Sequence, residues 1–275
     1  MSEDTTNPAE IEGLPGDWRH EVPSLKEKVI SAACWAGGIA WLLPVSSAMT
    51  IGQVTVGGTK IEWLNRLFSR GMVTAATWSK WTPHVHPDIR DDEPYIFAQN
   101  HINHLDFVAM YSATPHFKQG LESEAHFKYP VYGWLMKSRG TIPVPVDRDK
   151  RFQAVLDGIK KEVDQGHSIL AFPEGTRTLN GRVGILRRGI FVAAQQLGIK
   201  VVPTAVTGMY DAMRKGSLLI RPRQQIDVWC EKPVDFAGVS DEDLPAKIEE
   251  VRSAIAARVD AHLDARAKER RGGTA

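Results

Sequence analysis

Apolar residues along this 275-residue chain alternate between two spacings from about residue 82 onward. Short apolar runs, typical of buried strands, end at Ala98, Ala171 and Val206. Between these runs, apolar residues recur every three or four positions, as in a helix with one buried face. One such set comprises Phe152, Val155, Leu156, Ile159 and Val163. Strands alternating with helices predict an α/β fold with a mostly parallel central sheet and helices on both faces.

The first 81 residues have a different pattern. Residues 1–21 are polar, contain proline and glycine, and are expected to form a flexible tail. From Val29 to Thr59 there is no Asp, Glu, Lys, Arg or His, but the densest apolar part is shorter than the roughly 20 residues of a membrane span. A helix that embeds and turns back, or one that lies at the interface, fits this pattern better. The alternative is a pair of buried helices that cover the sheet.

Residues 61–81 combine several tryptophans with basic side chains, a mixture that suits an amphipathic helix at a bilayer surface. We therefore divide the chain into a tail (1–21), a membrane-associating helical segment (22–81) and an α/β domain (82–275). The apolar run begins far from the acidic start, which argues against a secretory signal peptide.

The net charge and the cysteine and histidine residues limit the partners, the cellular compartment and the cofactors that we expect. The formal net charge is +1, so no overall field favours nucleic acid. Cys34 and Cys230 lie far apart and suggest no disulfide framework, which is consistent with a reduced protein at the cytoplasmic face of a membrane. Four histidines, including His84 and His86, suggest a metal site only weakly, and we expect neither a metal nor a cofactor.

Residues 100–106, here called the histidine loop, follow a strand-like run and hold His101 and Asp106 five positions apart. An imidazole can remove the proton of a hydroxyl near neutral pH, and a carboxylate can orient it. Asn103 favours a helix start at His104, so Asp106 could instead serve only to cap that helix. His104 is a rival base, but it lies too near Asp106 to face it easily.

Residues 172–177, here called the anion turn, follow a second strand-like run. Gly175 permits backbone angles that direct N–H groups outward, as in anion-binding nests. Thr176 adds a hydroxyl donor and Arg177 a planar guanidinium, while Glu174 could grip a ligand hydroxyl or orient Arg177. The alternative is a solvated surface turn with a local Glu–Arg pair.

Together these two motifs resemble those of the glycerolipid acyltransferase superfamily, which includes the 1-acyl-glycerol-3-phosphate acyltransferases. The superfamily's Asn-His-x-x-x-x-Asp block is matched by residues 100–106, with Asn103 in place of the usual Ser. Its Phe-Pro-Glu-Gly-Thr-Arg block is matched without change by residues 172–177. Residues 140–148, 186–189 and 199–206 resemble three further blocks. Where the superfamily often has lysines before a proline, residues 122–128 here contain two glutamates.

The resemblance implies an O-acyltransferase that moves a fatty acyl group from acyl-CoA or acyl-carrier protein to 1-acyl-glycerol-3-phosphate, giving phosphatidate. His101 would then be the base and Asp106 its orienter. The acceptor phosphate would bind the residues from Glu174 to Arg177, together with Arg148 and Arg187. Implied partners are a membrane bilayer, a lysolipid acceptor and the thioester donor.

Three alternatives stay open at the level of sequence. The acceptor could be another lysolipid or a glycolipid hydroxyl. Water could replace the acceptor, which would make the chain a lipid hydrolase, although no Gly-x-Ser-x-Gly motif supports a serine hydrolase. The chain could also be an inactive lipid-binding protein, although both His101 and Asp106 are present.

Overall fold

The computed structural model describes residues 22–57, 59–106, 113–129 and 132–272. The flexible tail expected over residues 1–21 lies outside these ranges. The strands are β1 Lys80–Val85, β2 Ile96–Gln99, β3 Lys118–Ser123, β4 Ile142–Val144, β5 Ser168–Ala171, β6 Val201–Thr207 and β7 Gln225–Cys230. The α-helices are α1 Leu25–Val56, α2 Glu62–Thr77, α3 Tyr132–Arg139, α4 Arg148–Val163, α5 Gly189–Leu197, α6 Met209–Ala212 and α7 Leu244–Gly272.

The described strands form one sheet in the order β1-β7-β6-β2-β5-β3-β4. Each neighbouring pair is parallel except β6 and β7, which run antiparallel. The predicted mostly parallel sheet is therefore confirmed. Because β2, β5 and β6 are parallel neighbours, the loops that follow them leave the sheet at the same edge, where ligands bind in open α/β sheets.

Helices cover both faces of this sheet, as predicted, because alternate strand residues point to opposite sides. Phe97 and Leu170 pack with α1 and α2 in one core cluster. Ile96 and Ile169, their neighbours in sequence, pack with α4, α5 and α7 in another. Central strands buried on both faces read as continuous apolar runs, which explains the short apolar segments in the sequence.

Helix α1 is one continuous helix of 32 residues, about 48 Å long at 1.5 Å per residue, and it passes through Pro44. One of the two interpretations from the sequence required a helix that embeds in the membrane and turns back. Helix α1 does not turn back. Ser24 begins it with a capping box, in which the hydroxyl and Glu27 exchange hydrogen bonds with backbone N–H groups. By length and apolar composition, α1 is long enough to cross a membrane.

Helix α2 packs along α1, and the Trp41 indole donates a hydrogen bond to the Phe68 carbonyl at 3.0 Å. Helices α1 and α2 show features of both interpretations from the sequence, namely buried helices that cover the sheet and a membrane-associating segment. Cys34 and Val73 are fully buried against the sheet, as in covering helices. Much of the remaining surface is apolar and exposed, with Leu43 and Trp63 each more than half accessible, as at a membrane.

The predicted boundary at residue 82 falls inside β1, which pairs with β7 within the sheet. Because α1 and α2 also share a core cluster with the central strands, the helical segment and the α/β part are built on a common core. The division into segments 22–81 and 82–275 therefore describes composition rather than two separately packed units.

Candidate active site

The histidine loop places the predicted base and its orienter in direct contact. Nδ1 of His101 lies 2.8 Å from Oδ2 of Asp106. The imidazole stacks on the Phe172 ring with centroids 4.3 Å apart, so the first residue of the anion turn orients the histidine. About a quarter of the His101 side chain is exposed, whereas Asp106 is 1% exposed. A carboxylate bound to Nδ1 directs the other ring nitrogen, Nε2, toward a substrate as a proton acceptor.

Asp106 also makes hydrogen bonds to the backbone of the histidine loop, as the alternative interpretation of this residue requires. The same Oδ2 accepts hydrogen bonds from the backbone N–H groups of Ile102 and of Asn103, the latter at 3.0 Å. Residues 103–105 form a bend and turn, so no helix starts at His104 as predicted, and the residues after Asp106 lie outside the described ranges. One carboxylate therefore orients His101 and holds the backbone of its own loop.

Two asparagines attach the histidine loop to β6 and α6. The Asn100 side chain exchanges a pair of hydrogen bonds with the backbone N–H and carbonyl of Val206, at 2.7 and 3.1 Å. The Asn103 amide donates to the carbonyls of Met209 and Met213, at 3.1 and 2.8 Å. A serine hydroxyl has one proton to donate, so it could not make both of the Asn103 bonds.

The anion turn has the backbone conformation that its glycine suggests. Gly175 has φ +69°, and a Cβ at this position would lie 2.5 Å from Nε of Arg187. Arg187 therefore packs directly over the turn, and its Nε donates to the Glu174 carbonyl at 3.2 Å. The structure thus brings Arg187 to the site, as predicted.

The contacts of Glu174 differ from those expected for either suggested role, which were to bind a ligand hydroxyl or to orient Arg177. Its carboxylate accepts hydrogen bonds from the backbone N–H groups of His101 and Gly184, each at 2.8 Å. Burial raises the pKa of this carboxyl, although the two N–H groups act in the opposite direction. Both oxygens thus join the histidine loop and the chain around Gly184 to the anion turn. Glu174 is a brace between loops rather than a partner of Arg177.

Arg177 instead contacts the histidine loop. One guanidinium nitrogen lies 2.8 Å from Nε2 of His104, so this ring nitrogen must be the unprotonated acceptor. Partial burial and the nearby guanidinium lower the pKa of His104, which favours that neutral form. His104, considered as a rival base, is occupied with Arg177. The Thr178 N–H donates to the His101 carbonyl at 2.8 Å, which adds a backbone connection between the two motifs.

Arg148 lies farther from this centre. It is the first residue of α4, after β4, and β4 is separated from β5 by β3. Arg148 is exposed at the same edge of the sheet, but among the described residues it makes no hydrogen bond or ion pair with the anion turn. Its phosphate-binding role therefore stays a prediction.

Lys215 is a residue of the site that the sequence analysis missed. Its Nζ lies 3.2 Å from Oγ1 of Thr176. It lies 39 positions after Thr176 in the sequence, and no motif signals it. The described residues contain no group of three or more His, Cys, Asp and Glu side chains that could hold a metal ion. His84, on the distant strand β1, bonds Asp227 instead.

Residues 82–207 match the sequence profile of the Acyltransferase family, and both motifs fall within this range. Over these residues the chain is similar to the Acyltransferase family, in agreement with the resemblance of its two motifs to the glycerolipid acyltransferases. A chloroplastic 1-acyl-sn-glycerol-3-phosphate acyltransferase from Arabidopsis thaliana is 32% identical over 146 residues, covering 52% of this chain and 40% of the relative. The chain thus spans less than half the length of that acyltransferase.

Two further comparisons concern a mammalian relative and a solved structure. The mouse 1-acyl-sn-glycerol-3-phosphate acyltransferase alpha is 24% identical over 164 residues, covering 59% of this chain and 58% of the relative. The crystal structure of the 1-acyl-sn-glycerophosphate acyltransferase from Thermotoga maritima superposes with a TM-score of 0.69 at 18% identity, over 84% of this chain and 95% of that one. At this identity the structural match establishes a shared fold.

Proposed function

We propose that this acyltransferase moves a fatty acyl group from acyl-CoA or acyl-carrier protein to the free hydroxyl of 1-acyl-glycerol-3-phosphate, which forms phosphatidate. The observation that carries the proposal is the His101–Asp106 contact of 2.8 Å in a loop bonded directly to the anion turn. A base beside an anion site suits an acceptor that carries a hydroxyl and a phosphate on one small glycerol unit.

The reaction proceeds in this proposal without an acyl-enzyme. Nε2 of His101 takes the proton as the acceptor oxygen attacks the thioester carbonyl carbon. The new C–O bond forms, the C–S bond breaks, and the thiolate leaves and is protonated by the imidazolium. The buried Asp106 carboxylate stabilises that imidazolium and keeps Nε2 directed outward. The anion turn and Arg187 hold the acceptor phosphate and thereby position the hydroxyl. No cofactor takes part.

The test is thiol release from acyl-CoA by the full chain, measured with and without lysophosphatidate, with the lipid products identified by mass spectrometry. Release that depends on lysophosphatidate and yields phosphatidate supports the proposal. Release that is equal without an acceptor would instead indicate a hydrolase, and the absence of release with any acceptor would indicate lipid binding alone.

The acids at residues 122–128 favour a second candidate acceptor without a phosphomonoester, such as another lysolipid or a glycolipid. In the structure, however, Oε1 of Glu122 accepts from Nδ1 of His126 at 2.7 Å and from the backbone N–H of Ser123. This carboxylate is engaged within its own segment, which weakens the objection to a phosphate. Parallel assays with lysophosphatidate and a lysolipid lacking an exposed phosphomonoester decide between the acceptors.

We further propose that α1 and the exposed face of α2 attach the enzyme to the cytoplasmic face of a membrane, where its lipid acceptor resides. The apolar side chains exposed along α1, including Val29, Leu43 and Val54, would be shielded by acyl chains. Because salt does not screen apolar burial, the protein should stay with membranes after a high-salt wash. Complete release by salt alone would show that attachment is electrostatic.

A further inference from the structure

We propose that Lys215 is a phosphate-binding residue of the acceptor site, although it lies outside the motifs that identify the superfamily. The inference rests on the proposed acceptor, and it adds a cation that approaches the anion turn from the β6 side. Its basis is the position of the segment 208–215, which three sets of contacts fix against the site.

The first of these is the sharp reversal at the end of β6. Gly208 has φ +77°, and a Cβ there would lie 1.9 Å from the Gln225 carbonyl oxygen, so this tight approach to β7 requires glycine. The reversal starts the short helix α6, Met209–Ala212. Because β6 is parallel to β2, the segment leaves the sheet at the edge that carries the histidine loop.

The second set bonds this segment to both motif-bearing loops. Asn103 of the histidine loop donates to the carbonyls of Met209 and Met213. The Tyr210 hydroxyl donates to the carbonyl of Leu179, just beyond the anion turn, at 2.8 Å. Residue 213 is thus anchored two positions before Lys215.

The third set of contacts gives the two consecutive basic residues, Arg214 and Lys215, different surroundings. Arg214 is 4% exposed, and its guanidinium lies 5.1 Å from the centroid of the Tyr210 ring, so it is packed into the protein. Lys215 is half-buried, and its ammonium reaches the Thr176 hydroxyl at 3.2 Å. Thr176 lies in the anion turn, between Gly175 and Arg177.

This contact suits a phosphate site. An ammonium carries three N–H donors, so Lys215 can serve the Thr176 oxygen and a phosphate oxygen together. A phosphomonoester carries about −1.5 to −2 charges at pH 7, so it gains from a cation beyond Arg177 and Arg187.

Lys215 and the acidic segment at residues 122–128 lie on opposite sides of β5, the strand that leads into the anion turn. That segment begins inside β3, at Glu122, and β3 flanks β5 on one side, whereas β6 lies on the other side, beyond β2. The segment carries two acids, Glu122 and Glu124. Lys215 places positive charge at the anion turn from the β6 side of the sheet.

The experiment compares Lys215→Met, Lys215→Arg and the control Lys161→Met in the full-length enzyme. Lys161 is exposed near the end of α4, at the sheet edge away from the site. Lys215→Met should raise KM for lysophosphatidate by about tenfold, in line with the loss of one charge-assisted hydrogen bond. KM for acyl-CoA, and kcat, should change little. Lys215→Arg should recover most of the loss, and Lys161→Met should behave as wild type.

A purely structural role for Lys215 predicts a different result. Lys215→Met would then lower the melting temperature. It would weaken the binding of lysophosphatidate and of a lysolipid without a phosphomonoester to the same extent, and Lys215→Arg would not selectively restore the binding of lysophosphatidate. That pattern, or an unchanged KM in Lys215→Met, overturns the assignment.

Direct binding of lysophosphatidate to the detergent-purified variants separates this inference from the proposed function. Wild type that binds lysophosphatidate without acylating it, with binding about tenfold weaker in Lys215→Met, would refute the proposed reaction and support the Lys215 site. Phosphatidate formation with an unchanged KM in Lys215→Met would refute the Lys215 site alone. Wild type that neither binds nor acylates lysophosphatidate refutes both.

Discussion

The histidine loop and the anion turn follow neighbouring parallel strands, yet their functional side chains are held in different ways. In the histidine loop, the buried carboxylate of Asp106 bonds His101 and two backbone N–H groups. At the anion turn, Arg177 and the neighbouring Arg187 bond neutral partners, the His104 ring and a backbone carbonyl. The proposed catalytic pair is therefore assembled in advance, whereas the cations keep charge that an anionic ligand can neutralise. Mutations in the histidine loop should therefore act mainly on kcat, and mutations in the anion turn mainly on the KM of the acceptor.

The largest effect is expected for His101→Ala, which removes the proton acceptor. Turnover should fall by about a thousandfold, within the range of general-base catalysis, while far-UV circular dichroism stays unchanged. Thiol release at saturating substrates measures the loss. Retention of a tenth of wild-type activity, equivalent to about 1.4 kcal/mol of barrier, would contradict the assignment and favour His104 as the base.

Asp106→Asn separates the two roles of this carboxylate. An amide oxygen can still accept from the backbone N–H groups, but it brings no charge to stabilise the imidazolium. We expect kcat to fall about a hundredfold, no more than for His101→Ala. Asp106→Ala, which also loses the bonds to the backbone N–H groups of the loop, should in addition lower the free energy of unfolding by about 1–3 kcal/mol. Equal losses of stability in the two variants would show that these backbone bonds do not stabilise the fold.

Arg177→Ala tests the other half of the comparison. It should raise KM for lysophosphatidate by about tenfold or more, because a charge-assisted bond to phosphate is lost. KM for the acyl donor should stay within experimental error. Arg177→Lys should rescue only part of the loss, because an ammonium lacks the planar fork of donors. The control is Arg182→Ala, since Arg182 pairs with Asp260 on α7. An equal rise in KM for an acceptor without a phosphomonoester would contradict the assignment of Arg177 to the phosphate.

The smallest expected effect links the two regions through His104. Because its pKa is lowered, the neutral ring and its bond to Arg177 should persist at neutral pH. They should be lost only as the pH falls below the ordinary value of about 6.5, where the protonated ring repels the guanidinium. His104→Gln has an amide oxygen that accepts at every pH. The ratio of the lysophosphatidate KM of wild type to that of His104→Gln should rise about two- to threefold between pH 7.5 and 5.0.

The ionisation of the lysophosphatidate phosphate is the same in both assays, so it cancels from this ratio. The sign also applies to stability, because a lowered pKa means that the unfolded chain binds more protons below pH 6.5. His104 should therefore stabilise wild type less as the pH falls. A ratio independent of pH would show that His104 does not position Arg177.

Local features of the sequence predicted the elements and motifs that depend on short-range rules. Apolar runs marked the buried strands, because a strand covered on both faces needs apolar residues at consecutive positions. The five-residue interval between His101 and Asp106 was short enough for one loop to bring them together. Gly175 indicated the turn conformation, since few other residues adopt a positive φ at low cost.

Contacts between distant segments could be decided only by the tertiary structure. Glu174 had several possible partners in the sequence, and the meeting of three loops assigned its oxygens to the N–H groups of His101 and Gly184. Lys215 reaches Thr176 because Gly208 and Asn103 direct the chain back across the sheet edge. Spacing along the chain determines which residues share a loop or a face, whereas strand order determines which loops meet. Strand order depends on the packing of the whole chain, and no local pattern in the sequence encodes it.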